Sequence, residues 1–221
     1  MKIAQINKWH KSLNKDCYRN DIIIPFLLQY IHSQKKYITI LDIGSGSGYI
    51  HQHVLPKSKS KIIRYYALDK DINMINFSKK NNIINHSAKI SFLHANILDV
   101  NFFKKVDLII LSFSLLEFKP NQKFCKKLSK YLKKNASILI FIPDILQDIL
   151  EKHEFSSLKK YIDNKLFFKK RNKFTKVVFP FVVNRTEKLL ECFTANNLQI
   201  KSIVEKECLN KKSYIIEVVN G

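Results

Sequence analysis

Three of the four glycines in this 221-residue chain stand at alternate positions in the stretch LDIGSGSGYI: Gly44, Gly46 and Gly48. A glycine turn after an apolar run lets backbone approach a ligand with no Cβ in the way. If a helix follows, its first N–H groups point at the same ligand. A turn needed only for packing would account for one such glycine, not for three so close together. Two carboxylates frame the turn. Asp42 lies two residues before Gly44, and Asp69 ends a later apolar run, KIIRYYALD. A carboxylate there can accept hydrogen bonds from both hydroxyls of a ribose. The chemistry these residues point to is the binding of a nucleoside.

The spacing excludes two common phosphate binders. A phosphate loop needs a lysine followed by Ser or Thr, and none is present. The dinucleotide fingerprint needs GxGxxG, whereas this chain has GxGxG, with Tyr49 where that pattern places its last glycine. Other candidates carry less. His51 and His53 are two residues apart, which on a helix sends them to different faces, so no metal is expected. The four cysteines, Cys17, Cys125, Cys192 and Cys208, have no metal-ligand spacing and read as reduced thiols of a cytoplasmic protein. His153 and Glu117 are the acid–base candidates. Each has a plain alternative, as a surface histidine and a helix-start carboxylate, and no catalytic residue is assigned.

The net charge of +21 invites a nucleic acid as partner. Composition argues against that reading. Only Arg19, Arg64, Arg171 and Arg185 among the 39 basic residues are arginines, and glycine and proline are scarce. Abundant Lys, Asn, Ile and Phe are the residue bias of a low-GC genome, and the lysine runs at Lys126–Lys127 and Lys169–Lys170 read as solvated faces. No apolar run reaches membrane-spanning length, and the polar opening MKIAQINKWHKSLNKDC lacks a signal-peptide core, so a cytoplasmic protein with no membrane partner is expected.

To hold the glycine turn beside Asp69, the chain needs neighbouring strands. YITILDI (37–43) is short, apolar and β-rich, like a strand buried on both faces. Strands are also expected at 61–69, in AKISFLHA, at 105–114 and in ASILIFIP. Helices are expected from about 25 to 33, in GYIHQHVL, in DINMINFSKKNNII with Asp71 as N-cap, in NQKFCKKLSKYLKK, and from about 185 to 196. Strands alternating with helices imply a parallel sheet covered on both faces. LQIKSIVEKE and SYIIEVV follow with no helix between them, so an antiparallel hairpin closes the chain. Residues 144–180 break the rhythm, with helical DILQDILEKHEF and then basic, aromatic NKLFFKKRNKFTKVVFPF.

With these elements in place, LDIGSGSG followed by ALDKDINMI resembles motifs I and II of the class I S-adenosylmethionine-dependent methyltransferases, in their small-molecule branch. FLHANILDV resembles the segment after strand three of that family, and VDLIILSFSLLEF its strand-four segment. RNDIIIPFLLQYI and RTEKLLECFTANNLQIKSIVE resemble its N-terminal helix and its late helix with strand six. The resemblance covers roughly residues 15–219 and leaves 144–180 unmatched. It implies an α/β, Rossmann-like seven-stranded sheet, mostly parallel with one antiparallel strand. One domain over 1–221 is expected: an N-terminal cap (1–36), a donor-binding core (37–142), a lid-like acceptor-site insertion (143–184), and a closing helix and hairpin (185–221).

The resemblance also implies roles. Gly44, Ser45, Gly46 and Gly48 would meet S-adenosylmethionine, or its product S-adenosylhomocysteine, through backbone. Asp42 would orient the loop and the methionine end, and Asp69 would hold the ribose. Asn96 and Ile97 would read adenine, with Asn96 where Asp is commoner. Ser112 and Phe113 would border the donor, and Arg19 would meet its carboxylate. Asn196 or Asn197 would take the left-handed turn that many relatives give to glycine. Trp9, Tyr18, the loop after Ser114, the Pro143–Asp144 corner and the insertion would wall the acceptor. The reaction implied is methyl transfer to a small molecule, at oxygen, with a carrier-bound acceptor as a variant. The alternatives are an RNA methyltransferase, favoured by FFKKRNKF, and a donor-binding domain that regulates without turnover. The chain lacks the Pro-Pro-aromatic signature of adenine-N6 enzymes and the Pro-Cys nucleophile of cytosine-C5 enzymes.

Overall fold

A computed structural model describes residues 2–82, 86–101, 104–114, 121–143, 161–162, 165–171, 178–183, 191–209 and 211–221. The chain opens with helix α1 (Ile3–Ser12), then a π-helical turn over Tyr18–Ile23 that runs into α2 (Ile24–Ser33) with Pro25 in its first turn. Strand β1 (Ile38–Ile43) delivers the glycine turn, and the short helix α3 (Tyr49–Val54) follows it. Next come β2 (Ile62–Asp69), α4 (Ile72–Lys80), β3 (Lys89–His94), β4 (Val106–Ser112), α5 (Gln122–Tyr131) and β5 (Leu132–Pro143). The α4 N-cap is Asp71, whose carboxylate accepts the Asn73 N–H at 2.8 Å. Asn121 caps α5 in the same way, accepting from Phe124 at 2.9 Å.

Where the sequence predicts strands and caps in this half, the structure has them, with small shifts at their ends. The insertion is different. The expected helix over DILQDILEKHEF lies outside the described residues. The basic, aromatic segment, for which no element is predicted, contributes β7 (Lys165–Arg171) and β8 (Val178–Val183), an antiparallel pair flanked by the short β6 (Tyr161–Ile162). Residues 191–194 are helical, in line with the expected late helix, and Asn197 then takes φ +58°. The closing hairpin is β9 (Leu198–Cys208) and β10 (Lys211–Asn220).

The main sheet has seven strands in the order β3-β2-β1-β4-β5-β10-β9. All neighbours are parallel except β10, which runs against both β5 and β9. From β1 the order runs outward to β2 and β3 on one side and to β4 and β5 on the other. That reversal opens a crevice at the carboxyl ends of β1 and β4, where ligands of such sheets bind. Core lies on both faces. Ile38 and Ile40 of β1 pack in the cluster that holds α2 and α3. Leu41 and Ile43 pack in the cluster that holds α5. At the opposite, amino ends of the strands, Asp107 ties three elements together: it accepts from Thr39 N–H at 2.9 Å and from Lys133 Nζ at 2.7 Å.

One expectation fails. Cys125 of α5 and Cys192 of the late helix are joined in a disulfide, so these two are not reduced thiols. Both project into the same buried cluster, which brings them together despite 67 residues of separation. Cys17 and Cys208 are free. Among the described residues no helix is long and apolar enough to cross a membrane.

Candidate active site

The loop after β1 is built from backbone. Gly44, Gly46 and Gly48 have φ of +75°, +55° and +83°, in the region that side chains rarely tolerate. The N–H groups of Gly44 and Ser45 both bond to the Leu68 carbonyl, at 2.8 and 3.0 Å, which anchors the loop to β2. Space adds to the requirement. A Cβ on Gly44 would lie 2.7 Å from the Cβ of Ser114, and one on Gly48 would collide with Ser78 and His51. At Gly46 the nearest atom to an added Cβ would be the indole of Trp9, at 3.6 Å.

The two framing carboxylates converge on this loop. Asp69 accepts the Gly46 N–H at 2.8 Å through one oxygen and the Asp71 N–H at 2.9 Å through the other. Asp42 is buried beneath the loop, where the Tyr65 hydroxyl donates to one of its oxygens at 2.7 Å. Its other oxygen has no partner among the described residues. Burial pushes Asp42 up to about 7; the Tyr65 bond opposes this, and the charge of Asp69 adds to it.

Most of the remaining residues stand at the carboxyl ends of β3 and β4. The Ala95 N–H bonds to the Asp69 carbonyl at 3.0 Å, so the segment after β3 starts beside Asp69. Asn96 is exposed there, its Oδ1 accepting from the Leu98 N–H at 3.0 Å, while the Ile97 side chain is buried in the core. Ser45, Ser112 and Ser114 each have a buried hydroxyl with no partner among the described residues. Phe113 has φ +59°, an uncommon state for a bulky residue, and its N–H bonds to the Phe141 carbonyl at 3.1 Å. The Arg19 guanidinium lies over the Phe113 ring, 4.4 Å from its centre, and is ion-paired with Asp16. Of the eleven predicted donor residues, Asp42, Gly44, Ser45, Gly46, Gly48 and Asp69 meet at the β1 loop, Asn96 and Ile97 follow the end of β3, Ser112 and Phe113 stand at the end of β4, and Arg19 packs on Phe113 while paired with Asp16.

Sequence reasoning missed three neighbours. Trp9, expected in the acceptor wall, lies on Gly46. His10 Nδ1 and Ser47 Oγ are 2.6 Å apart, which fastens α1 to the loop. His51 is buried beside Gly48, with both ring nitrogens unpartnered among the described residues. Burial, with His86, His10 and His53 nearby, pushes it down to about 3, so it is neutral near pH 7. No spacing signal marks any of these, because each is placed by packing between distant segments. Around Phe113, the residues Tyr18, Ile22, Phe141, Ile142, Ser213 and Tyr214 border a closed apolar seam too narrow for a water molecule. Glu117, His153 and Asp144 lie outside the described residues, as does most of the insertion.

Comparison with known proteins agrees with this arrangement. A family model described as a methyltransferase domain matches residues 34–197. A S-adenosylmethionine-dependent methyltransferase from Methanosarcina mazei is similar in structure, with a TM-score of 0.68 at 19% identity, covering 86% of this chain and 96% of its own. One from Aquifex aeolicus gives 0.64 at 16% identity over the whole of both chains. Magnesium protoporphyrin IX methyltransferase from Synechocystis PCC 6803, solved with S-adenosylhomocysteine, gives 0.65 at 11% identity over 90% of this chain and 82% of its own. No match was found among curated protein sequences. A glycine loop of this geometry, a sheet of this order and a family match over most of the chain lead to one assignment: the chain belongs to the methyltransferase-domain family and has the fold of the class I S-adenosylmethionine-dependent enzymes.

Proposed function

We propose that this chain transfers the methyl group of S-adenosylmethionine to a small molecule, at an oxygen nucleophile. The bound donor would supply a methyl group already activated on a sulfonium. The residues fit that donor. It is positively charged at its sulfonium and its ammonium, and the loop is flanked by two carboxylates, one with a buried oxygen unpartnered among the described residues. Gly44, Ser45, Gly46 and Gly48 would offer backbone to it, and Asp69 would accept from its ribose. Asp42 would face its methionine end. Asn96 and the Ile97 backbone would meet adenine, Ser112 and Phe113 would border the sulfur, and Arg19 would remain within reach of its carboxylate. Because the donor is activated, the protein's main work is to orient the acceptor and exclude water. Proton removal from a hydroxyl acceptor would fall to groups beyond these, Glu117 and His153 being the candidates that sequence offers.

The observation that favours the small-molecule reading is the closed apolar seam around Phe113, which would have to open to admit an acceptor. Its lining of Tyr18, Ile22, Phe141, Ile142 and Tyr214 suits an apolar or aromatic acceptor, not a phosphate backbone. The protoporphyrin methyltransferase among the structural neighbours acts, by its name, on a molecule of that kind. The test supplies methyl-labelled donor with two acceptor pools from the source cells, the small-molecule extract and the total RNA. Label is expected in an organic-extractable product that releases methanol on ester hydrolysis or iodomethane on ether cleavage by hydriodic acid. Label confined to RNA would contradict the proposal, as would a nitrogen-linked methyl.

A further inference from the structure

With Cys125 and Cys192 joined, two of the four cysteines remain as thiols, and the fold brings these two together. Cys17 stands at the start of the π-helical turn over Tyr18–Ile23. Cys208 is the last residue of β9, and β9 packs on that turn. The Cys208 thiol donates to the Asp21 carboxylate, with Sγ 3.8 Å from Oδ2. It is pushed up to about 12, by burial first, then by its contact with the Cys17 thiol and by the charge of Asp21. Both cysteines are half-buried, so a small reagent can reach either.

The pair sits at a junction that the seam also uses. Tyr18, Ile22 and Ile23 of the turn and Ser213, Tyr214 and Ile215 of β10 border the closed seam around Phe113. Cys17 adjoins Tyr18 in sequence. Cys208 lies opposite Lys211 in the closing hairpin, two residues before Ser213. A covalent tie between the two thiols would therefore join the same two segments that must part for an acceptor to enter.

We propose that Cys17 and Cys208 are a redox modification site: they close a reversible disulfide that clamps the seam shut. The clamp rests on the acceptor reading above; the bond itself does not. The oxidant is a low-molecular-weight disulfide. Cys17, having lost its proton to water, attacks one sulfur of that reagent; the reagent's S–S bond breaks and one small thiolate leaves. Cys208 then gives its proton to Asp21 and attacks the Cys17 sulfur. The mixed disulfide breaks there, and the second small thiolate leaves and takes up that proton. Two protein thiols are thus oxidised by two electrons, and one small disulfide is reduced to two thiols. Cys208 holds its proton too firmly to attack first, which makes Cys17 the point of entry.

The folded, full chain is incubated with oxidised glutathione, and its peptides are mapped without reduction. A linked pair of peptides carrying Cys17 and Cys208 is expected, and excess reduced glutathione should separate them. Labelled methyl transfer from S-adenosylmethionine into the small-molecule extract is measured before and after oxidation. Activity is expected to fall at least about tenfold with the bond closed, because a tied seam cannot populate its open state. Reduction should restore it. The double variant Cys17→Ser, Cys208→Ser should keep wild-type activity with and without the oxidant. Glutathione adducts without the linked pair, or no reaction at all, would overturn the site. Linked protein of undiminished activity would overturn the clamp, as would an equal loss in the double variant. No labelled product from reduced wild type would instead overturn the acceptor reading, and the clamp would fall with it, while the peptide map would still decide the bond.

Discussion

Asp42 shows how the site is set residue by residue. Two peptide bonds before a glycine, its place was readable from spacing, but its protonation was not. That depends on burial beneath the loop and on Tyr65 and Asp69, which only the fold assembles. An acid whose folded pKa is raised from 3.8 to about 7 stabilises the fold fully below its unfolded value. That contribution is lost as pH rises through about 7. Without ligand, wild type is therefore expected to lose stability relative to Asp42→Asn between about pH 4 and about pH 8, with a slope of at most about 1.4 kcal/mol per pH unit. Urea unfolding of both proteins across that range measures it. Parallel stability curves would mean that Asp42 ionises normally. His51 and Ser78 illustrate the opposite limit of legibility. They crowd Gly48 from α3 and α4, and no local pattern announces that two such residues will meet.

Elements were legible where a local rule fixes them. The alternation of apolar runs and capped amphipathic stretches marks β1 to β5 and α2 to α5, because each strand of a parallel sheet is buried on both faces and each helix needs its cap. The closing hairpin followed from the lack of helical sequence between its two runs. The basic, aromatic part of the insertion carried no assignment, because aromatic and basic residues in alternation fit a loop and an edge strand equally well. The cysteines were misread because pairing is a tertiary event. Cys125 and Cys192 meet only once α5 and the late helix share one face of the sheet. The chain denatured without reductant is therefore expected to expose two reactive thiols, Cys17 and Cys208, rather than four. Cys192→Ser should cost about 2–4 kcal/mol in urea unfolding, since the bond closes a long loop. Four titratable thiols would contradict the pairing.

Over the whole molecule, the donor half and the acceptor half differ in how far sequence reaches. The donor side is a fixed problem of backbone approach, ribose and adenine, and its solution recurs as GxGxG with a following acid. On the reading proposed above, the acceptor side would draw on Tyr18 from the cap, Phe113 just after β4, Phe141 of β5 and Tyr214 of the closing hairpin. Four segments far apart in the chain leave no compact signature. The charge of +21 does not by itself pick out a partner; its effect is to favour anionic ligands at low salt. The central claim is that the β1 loop and Asp69 together hold an adenosyl donor, and calorimetry with S-adenosylhomocysteine on wild type and Asp69→Ala tests it most directly. One-site binding that falls at least about tenfold in the variant is the result expected from loss of a charged acceptor. Equal affinity in the two proteins, or no binding by wild type, would contradict it.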